Sequence, residues 1–256
     1  MTDTGDQSLL PPQGELAAWL ARLTLGSAAF AATSRAAIFL LALQQRSRET
    51  FYADLCDALL PPELRVSRAL DIGCAAGNLS FELAGRLGEQ VIGIDSDPYL
   101  VAWARRASSG EPFEFPVRLD AAHFGVAVME PLELQVPVQF VRNDLFRPPF
   151  APGTFELVTL VNVLDSVAEP EGALGRAAEL LRPGGWLMFA SPDSWTTTIT
   201  PPQRWLVRPN DWDRLFASAG LETIAQLDDL EWRLKDTPRL HHIYRVHGRL
   251  LRKLED

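Results

Sequence analysis

The chain has 256 residues, is 47% apolar and carries a net charge of −9 at neutral pH. That length and apolar share suit one large domain, or a domain with an appendage, around a sizeable buried core. The acidic balance lacks the basic footprint that a phosphate backbone demands, so a nucleic-acid partner is disfavoured. The two cysteines, Cys56 and Cys74, fit neither a disulfide framework nor a zinc pattern, and His123, His241, His242 and His247 show no zinc spacing. A reducing, cytoplasmic setting without a bound metal is expected.

Met1 to Gln13 is polar, contains proline and has no basic n-region, which predicts a loose tail rather than a signal peptide. Glu15 to Gln45 is rich in Ala and Leu and reads as helical. Leu25 to Leu43 is long enough to raise a membrane span, but Arg35 sits at its middle beside Thr33 and Ser34. A central arginine is costly in lipid, so two buried helices broken near Ala32 to Ser34 are expected instead. Ser47 reads as the cap of a third helix, Arg48 to Leu60, stopped by Pro61-Pro62. Residues 1–62 therefore form a tail and helical extension ahead of a second unit, 63–256.

Val66 to Ile72 is an apolar run containing Asp71, followed by small residues and then by helical spacing from Asn78 to Leu87. Strand, tight turn and helix in that order form the place where an open α/β sheet receives a ligand. A dinucleotide turn needs G-x-G-x-x-G, and counting from Gly73 puts Ala75 and Asn78 where the second and third glycines belong. The spacing present is D-x-G-x-A-x-G. It resembles the D/E-x-G-x-G-x-G loop of class I S-adenosylmethionine (SAM)-dependent methyltransferases, with Ala75 replacing a glycine. The resemblance implies a Rossmann-like, doubly wound α/β fold with a seven-stranded, mostly parallel sheet. It also implies SAM as cofactor, S-adenosylhomocysteine as its product, and a cofactor loop of Asp71, Gly73, Cys74, Ala75, Gly77 and Asn78. In many such enzymes a helical N-terminal extension covers the cofactor cleft, and Phe51, Tyr52 and Leu55 are candidates for that cover.

Gln90 to Asp95 reads as a buried parallel strand ending in an acid. Two carboxylate oxygens match a vicinal diol, so Asp95, with Ser96 beside it, suits a ribose; the alternative is that Asp95 caps the next helix. Asp97 and Pro98 open that helix, which runs through Ala107. About 108–137 holds four prolines and two apolar pieces, Phe113 to Val117 and Gly125 to Met129, and reads as an insertion decorating the site or a subunit contact. Val138 to Val141 is the third strand. Beyond it, Asn143, Asp144 and Leu145 stand where the family reads adenine, while Asp144 equally suits a turn before Pro148-Pro149.

Phe155 to Asn162 is the fourth strand, and its end faces the transferable methyl group in this fold, which singles out Asn162 and Asp165. A helix from Pro170 through Leu181, the turn Arg182-Pro183-Gly184-Gly185 and a strand Trp186 to Ala190 come next. After a long loop, Asn210 reads as the cap of a helix Asp211 to Ala219 ended by Gly220. Glu222 to Trp232 and His241 to Leu251 read as two closing strands, one antiparallel to the rest.

Several strings resemble a narrower group. Asp71 to Ala84, Val91 to Asp95, Asn162 to Asp165 and Ser191 to Trp195 are similar to the methyltransferase domain of ovothiol-forming sulfoxide synthases, and the carnosine N-methyltransferases carry a similar Ser-Pro-aromatic loop. That implies methylation of an imidazole nitrogen on a small-molecule acceptor. Asp165 or Asp193 would then accept from the other ring N–H, Trp195 or Tyr244 would stack on the cation formed, and Tyr52 would add a contact from the cover. A non-catalytic SAM-binding partner or sensor and a nucleotide-dependent oxidoreductase are the alternatives. Nothing in the sequence chooses between monomer and dimer.

Overall fold

The computed structural model describes residues 9–134 and 136–255. Residues 1–8 of the expected tail lie outside that range. The rest of the tail is docked rather than loose: Leu10 is buried and Gln13 Nε2 donates to Pro112 O at 3.0 Å.

Three helices, α1 (Leu16–Leu20), α2 (Ala28–Gln44) and α3 (Phe51–Leu59), precede the first strand. The main unit runs β1 (Val66–Ile72), α4 (Asn78–Leu87), β2 (Gly88–Asp95) and α5 (Pro98–Ala107). The hairpin β3 (Phe113–Arg118) and β4 (Phe124–Met129) comes next, then β5 (Val138–Arg142) and β6 (Phe155–Val161). It closes with α6 (Pro170–Leu180), β7 (Leu181–Ser191), α7 (Pro209–Ser218), β8 (Leu221–Thr237) and β9 (Leu240–Lys253).

Seven strands form one sheet in the order β5-β2-β1-β6-β7-β9-β8, parallel except for β9. This is the Rossmann-like, mostly parallel architecture expected. The central strands are apolar on both faces because helices cover both. Ala69, Val91 and Phe140 pack on the side of α3 to α5, whereas Leu70, Ile72, Ile92 and Ile94 face α6 and α7. Strand order reverses between β1 and β6, which opens a crevice at their carboxyl ends.

Four local expectations are corrected. Helix α2 runs unbroken through Ala32 to Ser34, because Thr33 Oγ1 satisfies itself on Ala29 O at 2.7 Å. The break falls earlier, at residues 21–27, where Gly26 takes φ +81° and Ser27 Oγ caps α2 by accepting from Phe30 N. The third helix begins at Phe51, not Arg48: residues 45–48 turn back on the end of α2, with Arg48 N on Gln45 O, so Ser47 caps nothing. Helix α7 begins at Pro209, and Asp211 accepts from the Arg208 amide, which leaves Asn210 inside the helix. Arg182 to Gly185 is a bulge within β7 rather than a turn before it: Phe155 faces Leu181 but Leu157 faces Trp186.

The insertion folds as the β3–β4 hairpin, a two-stranded sheet of its own lying against α1 and α2. Phe113 and Phe115 bury beneath it, and the Phe30 and Phe124 rings meet at 5.0 Å. At the other end of the chain, β9 pairs with β7 only from His247 to Arg252. Its earlier residues pair with β8 alone, so this hairpin projects past the carboxyl edge of the sheet. There Trp232 packs on Phe51 at 5.4 Å, and Arg118 of β3 grips buried Asp236 with one guanidinium nitrogen 2.7 and 2.9 Å from its two oxygens. The crevice is thus walled by α2 and α3 on one side and the projecting hairpin at its end.

Candidate active site

The turn after β1 is built for close approach. Gly73 and Gly77 take φ +73° and +92°, and a Cβ on Gly73 would overlap Val163 Cγ2, while one on Gly77 would lie 2.6 Å from Phe140 Cζ. Ala75 adopts φ +47°, which costs an L-residue about 1–2 kcal/mol. Its amide donates to Asp95 Oδ2 at 3.0 Å, so the acid at the tip of β2 holds the non-glycine residue in place. Gly73 N and Cys74 N both donate to Ile94 O, at 2.8 and 3.0 Å, closing the turn onto β2.

Asp71 lies beneath the turn. Fully buried, it accepts from Ser80 Oγ at 2.6 Å and Thr159 Oγ1 at 2.7 Å, and burial pushes its carboxyl up to about 6. Both oxygens are thereby engaged in bracing α4 and β6 to β1. Burial also raises the Cys74 thiol, so it packs as a small apolar group. Asp95 is raised by burial as well, against the opposing pull of the Asp97 and Ala75 amides. Asp97 caps α5 through Tyr99 N at 2.9 Å and pairs with Arg35 of α2 at 2.7 Å.

An open cleft of about 630 Å³ lies over this turn. Asp95, Ser96, Asn143, Asp144 and Leu145 line it. So do Asn162, Val163, Ser166, Val167 and Ile199, together with Arg35 and Phe39 of α2. A recess of about 70 Å³ shares Phe39, Gly73, Ala75 and Asn162 with the cleft and adds Tyr52, Asp71, Cys74 and Trp232. Most of the expected cofactor positions are therefore gathered at one place. Gly77 is set back against Phe81 and Phe140, and Asn78 spends its amide nitrogen on Phe39 O at 3.2 Å.

The expected acceptor residues are arranged differently. Asp165 is buried, with Oδ2 accepting from Ser194 N at 2.7 Å, and burial raises its carboxyl. Asp193, at φ +52°, meets His247 Nε2 at 3.1 Å. Trp195 stacks on Trp212 with centroids 6.2 Å apart, and Tyr244 lies against Trp232 at 5.1 Å. None of these four is among the residues lining the cleft or the recess, whereas Tyr52 lines the recess. Arg35, Phe39, Ile199 and Trp232 were not singled out as site residues by the sequence. They reach the cleft or its recess from α2, a loop and β8, and no local spacing announces them.

The cleft fits SAM. Asn143 Oδ1 and Asn162 Oδ1 are buried acceptors without a partner among the described residues, and both residues line it. Asn162 is held there by φ +58° and its amide bond to Ala190 O. SAM presents donors to match: an adenine amino group, ribose hydroxyls and an ammonium. Asp95 would take the ribose, residues 143–145 the adenine, and the Gly73–Ala75 turn with Asn162 the aminoacyl end. Among the described residues no group of three or more His, Cys, Asp or Glu could hold a metal ion, and no helix is long and apolar enough to cross a membrane.

Residues 44–246 match the family model described as a methyltransferase domain. A ubiquinone biosynthesis O-methyltransferase of Burkholderia vietnamiensis is 31% identical over 163 residues, 62% of this chain and 53% of that protein. The chain thus spans about half the length of the curated relatives it matches. A SAM-dependent methyltransferase structure from Methanosarcina mazei superposes with a TM-score of 0.53 at 17% identity, covering 79% of this chain and 98% of that one. The N-methyltransferase NodS of Bradyrhizobium japonicum gives 0.52 at 18%, covering 83% and 97%. These last two likenesses concern the fold, which serves oxygen and nitrogen acceptors alike. With the family span covering the turn after β1 and all seven strands of the sheet in whole or part, the chain belongs to the methyltransferase-domain family.

Proposed function

We propose that the chain methylates a ring nitrogen of a small planar acceptor, an imidazole of the histidine type, lying between Asn162, Phe39 and Ile199. The supporting observation is that, among the described residues, no free general base stands beside those three: Asp165 and Asp193 line neither the cleft nor the recess. Asp165 is engaged by the Ser194 amide and Asp193 by His247, while burial beside Asp71 raises the Tyr52 hydroxyl and keeps its proton on. A neutral imidazole nitrogen attacks through its lone pair and needs no base to begin, whereas a phenol must give up its proton as it attacks. The bound cofactor supplies a methyl group already activated by a positive sulfur. The chain's own residues orient the acceptor and exclude water, the positioning part of the rate enhancement. Phe39 and Ile199 give the ring two apolar walls, and α2 and α3 act as the cover over it. The likeness of Asp71 to Ala84 and Ser191 to Trp195 to imidazole-methylating domains favours the same acceptor.

A phenolic oxygen is the second reading, favoured by the O-methyltransferase name of the 31% identical relative. The two separate in a transfer assay with methyl-labelled SAM against histidine, a thiolated histidine, a histidine dipeptide and a catechol, the product atom being located by NMR. Label on an imidazole nitrogen is expected. Label on oxygen, or tight S-adenosylhomocysteine binding without turnover of any imidazole, refutes the imidazole assignment.

A further inference from the structure

A pocket of about 90 Å³ adjoins the recess through Tyr52 and Trp232. Those two side chains line both this pocket and the recess, so they are a shared wall. We propose that this pocket binds a small organic ammonium, through aromatic faces and a buried amide oxygen, separately from the cofactor.

Phe51, Tyr52, Phe81 and Trp232 supply the walls. Phe51 packs on Tyr52 at 5.0 Å and on Trp232 at 5.4 Å, which fixes three of the rings against one another. Aromatic faces carry negative potential and attract a cation that has shed water. Asn78, only 8% exposed, also lines the pocket. Its Nδ2 is spent on Phe39 O, and its Oδ1, shielded from solvent, has no partner among the described residues. Such an oxygen calls for a donor or a positive charge. The rim holds Glu49, Glu82 and Glu133 against Arg46 and Arg233, one more negative charge than positive. Arg233 is drawn off by Glu231 at 2.8 Å and Glu82 by Arg86 at 2.6 Å, which leaves Glu49 and Glu133 against Arg46. The volume leaves room for the ammonium head alone, with any tail leaving past the charged rim.

The site does not depend on which acceptor the enzyme methylates, and its test uses cofactor-saturated protein. Choline and its uncharged isostere 3,3-dimethylbutan-1-ol are titrated calorimetrically into enzyme saturated with S-adenosylhomocysteine. Choline is expected to bind at least about tenfold more tightly than the isostere, the scale of a desolvated cation–π contact. Trp232→Leu and Glu49→Gln should each weaken choline, and the second is on the rim and leaves the packing intact. Equal affinity for the isostere, no choline binding to folded wild type, or displacement of choline by S-adenosylhomocysteine overturns the assignment.

Discussion

Replacing Gly73 by alanine tests the cofactor turn most directly. The added Cβ meets two separate penalties. The first is conformational: φ +73° is left-handed, at about 1–2 kcal/mol for a residue with a Cβ. The second is steric, because the Cβ overlaps Val163 Cγ2, and Val163 is a stiff, β-branched side chain that is 9% exposed. Forcing one more carbon into such packing costs about 1–3 kcal/mol. Together the two amount to roughly 2–5 kcal/mol, or roughly 5–15 °C in melting temperature for a chain of this size. Gly73 and Val163 both line the cleft, so S-adenosylhomocysteine affinity should fall along with stability. A thermal melt and a calorimetric titration read the two effects. The steric share is isolated by Gly73→Ala combined with Val163→Ala. Removing Cγ2 makes room for the new Cβ, so the double variant should be less damaged than the two singles added, by about 1 kcal/mol or more. Strict additivity in both assays would refute the steric reasoning, and unchanged ligand affinity in Gly73→Ala would remove the turn from the binding site.

Asp95→Ala should lose S-adenosylhomocysteine affinity by about 100-fold, since charged hydrogen bonds are worth about 1.5–3 kcal/mol each. Asp95→Asn should keep part of it, and calorimetry showing neither loss withdraws the ribose assignment. The raised carboxyl of Asp71 means that the folded state holds its proton up to about pH 6 while the unfolded chain releases it near 3.8. Stability therefore falls as pH rises between those values, by about 3 kcal/mol from this group at 1.36 kcal/mol per pH unit. The raised carboxyls of Asp95 and Asp165 act with the same sign. Urea melts across pH 4–7 should show the slope, and Asp71→Asn should flatten it; an unchanged slope in that variant refutes the assignment. Arg118→Ala leaves the Asp236 carboxylate, which is 6% exposed, with His242 Nε2 at 3.3 Å in place of the guanidinium, and should cost about 3 kcal/mol by the same melts. Arg118→Leu with Asp236→Leu should cost less, and an equal loss would make the pair a packing element only.

The turn after β1 and the acid at the tip of β2 were legible in the sequence because their signals are local. A left-handed turn needs residues such as Gly73 and Gly77 within a few positions of one another, and an acid at a strand tip shows in the strand that carries it. Even the departure at Ala75 makes local sense, once Asp95 Oδ2 is seen holding its amide. The misplaced break in α2 had a local cause too. Thr33 and Ser34 looked like breakers, but Thr33 bonds back to its own helix, and Gly26 and Ser27 were the stronger stop and start. Asp165 and Asp193 were legible as polar residues at strand ends. Their partners were not, because Ser194 and His247 lie 29 and 54 positions further along the chain.

The residues that α2, the loop after β7 and β8 add were not legible, because they come from distant parts of the chain. Phe39 comes from α2, Ile199 from the loop after β7, and Trp232 from a strand pair that reaches past the sheet only because β8 and β9 outrun β7. Each is placed by long-range packing: Asn78 holds the carbonyl of Phe39, Thr200 Oγ1 pins the loop to Val167 O at 2.6 Å, and Arg118 ties the hairpin through Asp236. The family match begins at residue 44, after Arg35 and Phe39, so this wall of the cleft stands outside the matched span. The residues proposed to hold the cofactor, the turn, Asp95 and Asn162, lie within that span. Under the proposed function the acceptor contacts fall to Phe39 and Ile199, so changing the acceptor would call for side-chain changes there and leave the cofactor turn as it is.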